Sequence, residues 1–421
     1  MRRCHLLPMV LSLPVIVSIA ALATRGTNAA SSHAVSASHS TTASDARLVR
    51  TIDAYVKPMV DRGDLSGQLL VARNGTIVLE RCYGFANREL GIPVTPESRF
   101  NIASVTKPMT TVLAIKLMEQ KSIGYHDSIA RWIPDFPKGD SIRVEQLLRH
   151  RSGIPHELVP DTLATRPRTA AEMVEIAKHE PLDFPPGSRS SYSSGGFTVL
   201  ARILEIASGM DYPSLIERAI FMPLGMTHSR SANGIELLPN RVSVYMKGSH
   251  GIDNAPYQDF SGIVGAGSVW STARDLHRFV QAIVTGALGA SARQSLVRDR
   301  VLDFNGRTSG FTAFAEWDST TGVEVIFAGN LLTGATEAIR HGIPPRCVGT
   351  RASSCSRTAY ASCCRCETAC CGRTDGSSSP RRTARSFRPA TTESCAACRA
   401  PTVASRGSTG PRTGRCIPRR G

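Results

Sequence analysis

The sequence predicts an α+β fold: a mainly antiparallel sheet flanked by helices, joined to a mostly helical region over roughly residues 110–260. Two observations predict it. β-rich runs lie near both ends of the body, at 68–73, 76–82, 311–317 and 323–328. The long apolar runs between them have helical length or spacing. A break in composition near Arg340 marks where this pattern stops.

The elements follow in order. Arg2 and Arg3 precede an apolar stretch over 6–23 and small residues ending Asn28-Ala29-Ala30-Ser31, so residues 1–30 read as a secretory signal peptide. Pro8 and Pro14 argue against a lasting anchor, and no other run approaches the roughly 20 apolar residues of a membrane helix. The protein is therefore expected to be exported, periplasmic or secreted, with no stable membrane span. Residues 31–44 are a polar, low-complexity linker. From Asp45, the spacing of Leu48, Ile52, Val56 and Val60 predicts a helix. Asn74-Gly75 joins the first two β-runs as a tight hairpin. Residues 109–118, 197–207 and 276–283 read as helices, the first of them buried. The last two β-runs are joined by a turn through Thr321-Gly322. The folded body spans 45–340.

Charge and cysteine are concentrated beyond that body. The formal net charge is +16. Residues 341–421 hold 15 Arg, no Lys and three acids, a net of +12, which leaves +4 for the rest. Ten of the 12 cysteines lie between Cys347 and Cys416. Cys82 is the only cysteine of the body once a signal peptide is removed, so the body does not depend on disulfides. In the tail, Cys363-Cys364-Arg365-Cys366 and Cys370-Cys371 lack the spacing of a paired zinc site. Tyr360 and Phe387 are too far apart to make a base-stacking platform. Neither a metal nor a nucleic-acid partner is expected. The tail reads as disordered, or as an out-of-frame stretch of a GC-rich gene.

The chemistry centres on Ser104-Val105-Thr106-Lys107. A spacing of three puts both side chains on one helical face. A serine hydroxyl needs a base to take its proton, and a lysine amine serves once burial lowers its pKa. A serine at a helix start also offers its own backbone N–H to a developing oxyanion. Pro108 suits a helix's first turn.

The stretch Phe100 to Thr110, reading FNIASVTKPMT, resembles the nucleophile segment of the serine β-lactamase-related family: class C β-lactamases, D-alanyl-D-alanine carboxypeptidases, D-aminopeptidases and esterases. Further matches follow in the family's order. Glu145 to Pro155 (EQLLRHRSGIP) is similar to its LLxHxSGLP stretch, Tyr192-Ser193-Ser194 to its Tyr-x-Asn box, Pro223 to Thr227 to its PLGM, and Ala266 to Leu276 to its GGLWSTAxDL. The resemblance implies a β-lactamase/transpeptidase-like fold and a serine hydrolase acting through an acyl-enzyme. Ser104 is then the nucleophile, and Lys107 and Tyr192 share the proton traffic. No cofactor or metal is implied. The substrate is a small molecule or peptidoglycan-like: an ester, a D-amino-acid peptide or a β-lactam. His150 is read as a structural histidine that satisfies a nearby loop.

Three departures stand against this pattern. Ser194 replaces the asparagine of the second box, where a substrate amide is contacted. Phe304-Asn305-Gly306 stands where the family has Lys-Thr-Gly, leaving Asn305, Gly306 and the N–H of Arg307 as candidate substrate contacts. The stretch from Trp270 to Phe304 is short and shows no strand ahead of that box, and the terminal helix expected after Asn330 is absent. The alternative function is therefore a catalytically impaired penicillin- or peptidoglycan-binding protein. Oligomeric state is not legible.

Overall fold

Alternation with a period of two builds the central sheet. The computed structural model describes residues 42–343 and Pro345, apart from residue 250. The expected signal peptide, most of the expected linker and nearly all of the Arg/Cys tail lie outside the described residues. Strands β1 (Gly67–Arg73) and β2 (Thr76–Tyr83) form the expected hairpin. Its turn residues Asn74 and Gly75 have φ of 51° and 80°, the paired left-handed conformation that an Asn-Gly turn supplies. Strands β3 (Val301–Arg307), β4 (Thr312–Asp318) and β5 (Val323–Gly329) complete a five-stranded sheet in the order β3-β4-β5-β1-β2, each neighbour antiparallel. Both ends of the body thus meet in one sheet.

Each face of that sheet is covered. Leu69, Val71, Phe314, Val325 and Phe327 pack with Ile52 and Val56 of helix α1 (Ala43–Asp61). Their neighbours Leu70, Ala72, Ala313, Ala315, Ile326 and Ala328 face a second, larger core. To it α2 (Thr106–Glu119), α3 (Ala170–His179), α4 (Ser194–Ser208) and α5 (Ala273–Val284) contribute their buried faces. Burial on both sides is why β1 carries the run Leu69-Leu70-Val71-Ala72 and β5 the run Val325-Ile326-Phe327-Ala328. Helix α2 is buried on almost every side, as its apolar sequence demands.

Several expectations are corrected. The first helix starts two residues earlier than Asp45, because Thr42 caps it by accepting from the Asp45 amide at 3.1 Å. Its buried stripe ends on Met59, with Val60 turned outward. A strand does occupy the region of the third box: β3 contains Phe304, Asn305 and Gly306, with Leu302, Phe304 and Gly306 inward and Asp303, Asn305 and Arg307 outward. A terminal helix is present as well. Helix α6 (Gly334–Gly342) runs two residues past the body's expected limit and places Ala335 and Ile339 on the α1 face of the sheet. Arg340 anchors it by donating to Glu316 and Asp303. Across 110–260 the helices are joined by long turns and loops, and a hairpin of Tyr245–Gly248 and Gly251–Asn254 is present.

Among the described residues no helix is long and apolar enough to cross a membrane. Cys82 is a free thiol on β2, and burial pushes it up to about 11, which makes it a poor nucleophile.

Candidate active site

A short three-stranded sheet aims the nucleophile. Val269–Ser271 pairs with Phe100–Asn101 on one side and with Arg230–Ser231 on the other. The chain leaves Asn101, passes through Ala103 at φ 48°, and turns through Ala103–Val105 into α2. A left-handed alanine is strained, and the surroundings must hold it. Asn101, wholly buried, does so. Its amide donates to the carbonyl of Gly267 at 2.9 Å and its Oδ1 accepts from the Ala103 N–H at 3.0 Å. The turn presents Ser104 at the base of α2.

One helical step on, Lys107 is 5% exposed. Its Nζ lies 3.0 Å from Ser104 Oγ, 3.1 Å from Ser194 Oγ and 3.0 Å from the Ala266 carbonyl. None of these partners is a carboxylate. Burial alone lowers the amine to about 7. A neutral amine has two N–H groups and one lone pair. Ala266 and Ser194 accept the two hydrogens, which leaves the lone pair for the Ser104 hydroxyl.

Tyr192 stands at the cavity mouth, 49% exposed, where the chain enters α4. Burial of the phenol raises its pKa, and its attraction to Ser104 partly opposes that. Lys107 Nζ is 4.7 Å from the centre of the tyrosine ring. Ser194 opens α4, accepts from Lys107 at 3.1 Å and lines the cavity. His150 supports the loop as expected, accepting from the Ser193 N–H at 3.2 Å, and it also lines the cavity. Burial first, then the nearby Lys107, lower it to about 4, so it is neutral near pH 7.

β3 closes the site from the other side. A Cβ on Gly306 would lie 2.6 Å from both the Ile102 carbonyl oxygen and the Ser104 nitrogen. Only glycine lets the strand approach the nucleophile turn so closely. The Thr308 N–H donates to Phe311, so the antiparallel alternation ties Gly306 to Ala313 and leaves the Arg307 N–H pointing off the sheet's free edge. Phe304 is buried against Phe279, with ring centres 6.5 Å apart, and brings no charge. Residues Phe304, Asn305, Gly306 and Arg307 of β3 line a cavity of about 490 Å³. Helical-region residues Ser104, Lys107, Tyr192 and Ser194 line its opposite side, so Ser104, Lys107, Tyr192, Ser194, Asn305, Gly306 and Arg307 all border one space. Such a volume suits a small ligand.

Gly306→Ala is expected to push β3 away from Ser104 and slow its acylation about a hundredfold, since misplacement by an ångström is felt at that scale. Rates of covalent labelling of Ser104, compared at equal folded content by circular dichroism, check this. An unchanged rate contradicts the close approach.

Three participants were not assigned roles from sequence. Asn101 and Ala266 lie inside motifs quoted above, but a buried amide and a backbone carbonyl carry no chemical label in one dimension. His156 follows the SGIP stretch and reaches the site only because the chain folds back there.

This fold and site match known proteins. The profile of the family described as Beta-lactamase covers residues 51–323, and the chain belongs to that family. It is 31% identical over 241 residues to a penicillin-binding protein of Bacillus subtilis, and spans about half the length of that curated relative (53% of each chain). A putative D-alanyl-D-alanine carboxypeptidase of Salmonella agona is 25% identical over 323 residues, covering 66% of this chain and 72% of that one. Among solved structures, a D-amino acid amidase from Ochrobactrum anthropi SV3, in complex with L-phenylalanine amide, aligns with a TM-score of 0.64 at 22% identity over 74% of this chain and 100% of that one. The hydrolase EstCE1 aligns with a TM-score of 0.60 at 19% identity over 70% and 96%. The fold is that of β-lactamases and transpeptidases.

Proposed function

We propose that the protein is an exported serine hydrolase that transfers an acyl group to water through an ester on Ser104. The observation that carries this reading is the 3.0 Å contact between Ser104 Oγ and a buried lysine amine lowered to about 7 with no carboxylate beside it. The neutral amine takes the hydroxyl proton as Oγ bonds to the substrate carbonyl carbon. The N–H groups of Ser104 and Arg307 stabilise the oxyanion. Tyr192 relays a proton to the departing alcohol or amine as its bond to carbon breaks. Water then attacks the ester, and the same groups run in reverse. Because Phe304 supplies no cation, substrates rank as esters, then D-amino-acid peptides or amides, then β-lactams. Export rests on the layout of residues 1–30.

Intact mass after incubation with a fluorophosphonate, an aryl acetate and a fluorescent penicillin tests the proposal. A single adduct that Ser104→Ala abolishes, with turnover of the ester, is the expected result. No adduct on folded protein sinks it. An adduct that forms and persists on every compound favours the second reading, a penicillin- or peptidoglycan-binding protein, which the apolar Phe304 wall also suits.

A further inference from the structure

Tyr192 is flanked by two imidazoles. Its ring centre lies 4.6 Å from that of His150 and 5.4 Å from that of His156. Each imidazole uses Nδ1 as an acceptor. The Ser193 N–H donates to His150 and the Ser194 N–H to His156, both at 3.2 Å. The backbones of the same two segments are bonded together. Ser191 N–H donates to the His150 carbonyl at 2.9 Å, Gly195 N–H to the His156 carbonyl at 3.1 Å, and Ser193 Oγ to the Pro155 carbonyl at 3.0 Å.

These bonds answer a need of the helix. The first N–H groups of α4 have no partners within it. His156 Nδ1, the His156 carbonyl and Ser193 Oγ accept those of Ser194, Gly195 and Gly196 in turn. An Nδ1 that accepts carries no proton, so both rings are neutral with hydrogen on Nε2. Neither ring has that nitrogen's lone pair left for the serine proton.

We propose that His150 and His156 are positioning residues: neutral acceptors that clasp Ser193 and Ser194 and so hold the Tyr192 phenol and Ser194 Oγ against Ser104 and Lys107. The inference rests on the role of Tyr192 given under Proposed function. Lys107 and His156 face His150; Lys107, Glu157 and Asp161 face His156. Acid–base chemistry remains with Lys107 and Tyr192 although two imidazoles line the cavity.

The test uses alanine and asparagine at each position, because an asparagine Oδ1 sits near the place of a histidine Nδ1. Rates of Ser104 labelling by a fluorophosphonate are measured against pH, with folding checked by circular dichroism. Alanine is expected to slow labelling by about tenfold or more and asparagine by less than about threefold, the pattern of lost and restored positioning. The acid limb near pH 7 stays in place throughout, since it belongs to Lys107. Asparagine as slow as alanine, alanine as fast as the unmodified protein, or a displaced acid limb overturns the clasp. His156→Ala, at the exposed mouth, serves if His150→Ala does not fold. Tyr192→Phe separates the two ideas. If it labels at the unmodified rate, the tyrosine's own role falls. If it is slow while both alanine variants are fast, the clasp alone falls.

Discussion

Replacing Lys107 with methionine is expected to slow acylation of Ser104 by about 10²- to 10⁴-fold, the scale of a lost general base, while making the protein more stable near neutral pH. Methionine fills the space of the lysine stem but cannot take a proton. The gain in stability follows from linkage. The folded-state value, about 7, lies below the ordinary 10.5. Between those values the unfolded chain binds a proton that the folded chain does not. Stability of the unmodified protein therefore rises with pH from about 7 toward 10.5, and below 7 it bears the cost of a buried ammonium. Lys107→Met removes that slope. In the unmodified protein, acylation itself rises with pH through about 7 as the amine is freed of its proton. Urea denaturation at pH 7 and 10, beside labelling rates over the same range, measures both effects. A methionine variant that labels normally, or whose stability keeps the slope, contradicts the description of the site.

Ile339→Asp is the largest expected blow to stability. Ile339 is fully buried in α6, against the same sheet face as Val71, Phe314 and Phe327. The change removes a packed side chain and buries a carboxylate with no partner, a loss of more than about 4 kcal/mol. A domain of ordinary stability holds only about 5–15 kcal/mol in all. The variant is expected to unfold at far lower urea and to bind a hydrophobic dye; native-like denaturation refutes the packing of α6.

Sequence disclosed the frame better than its margins. The Asn-Gly hairpin, the buried α2 and the turn at Thr321-Gly322 were legible because local conformation and burial agree there. β3 was not. Its inward residues are Leu302, Phe304 and Gly306, and the glycine removes an apolar letter from an alternation only seven residues long. α6 was hidden by its place beside the composition change at Arg340, although that arginine is what pins it to Glu316 and Asp303. At the site, the Ser-x-x-Lys spacing raised Ser104 and Lys107, and the resemblance to the family's ordered motifs singled them out together with Tyr192. The contacts of Ser194 with Lys107 and of His156 with the α4 amides come from segments brought together across 87 and 38 positions. No local pattern announces such pairings.

The free edge of β3 has a consequence for how this chain diverges. A main-chain N–H is the same group whatever residue bears it, so the donor at position 307 survives any exchange except proline. The one letter that geometry constrains is the glycine beside it. A strand of this kind can vary in side chains such as Phe304 and Asn305 and keep the same main-chain amide at position 307 on its free edge.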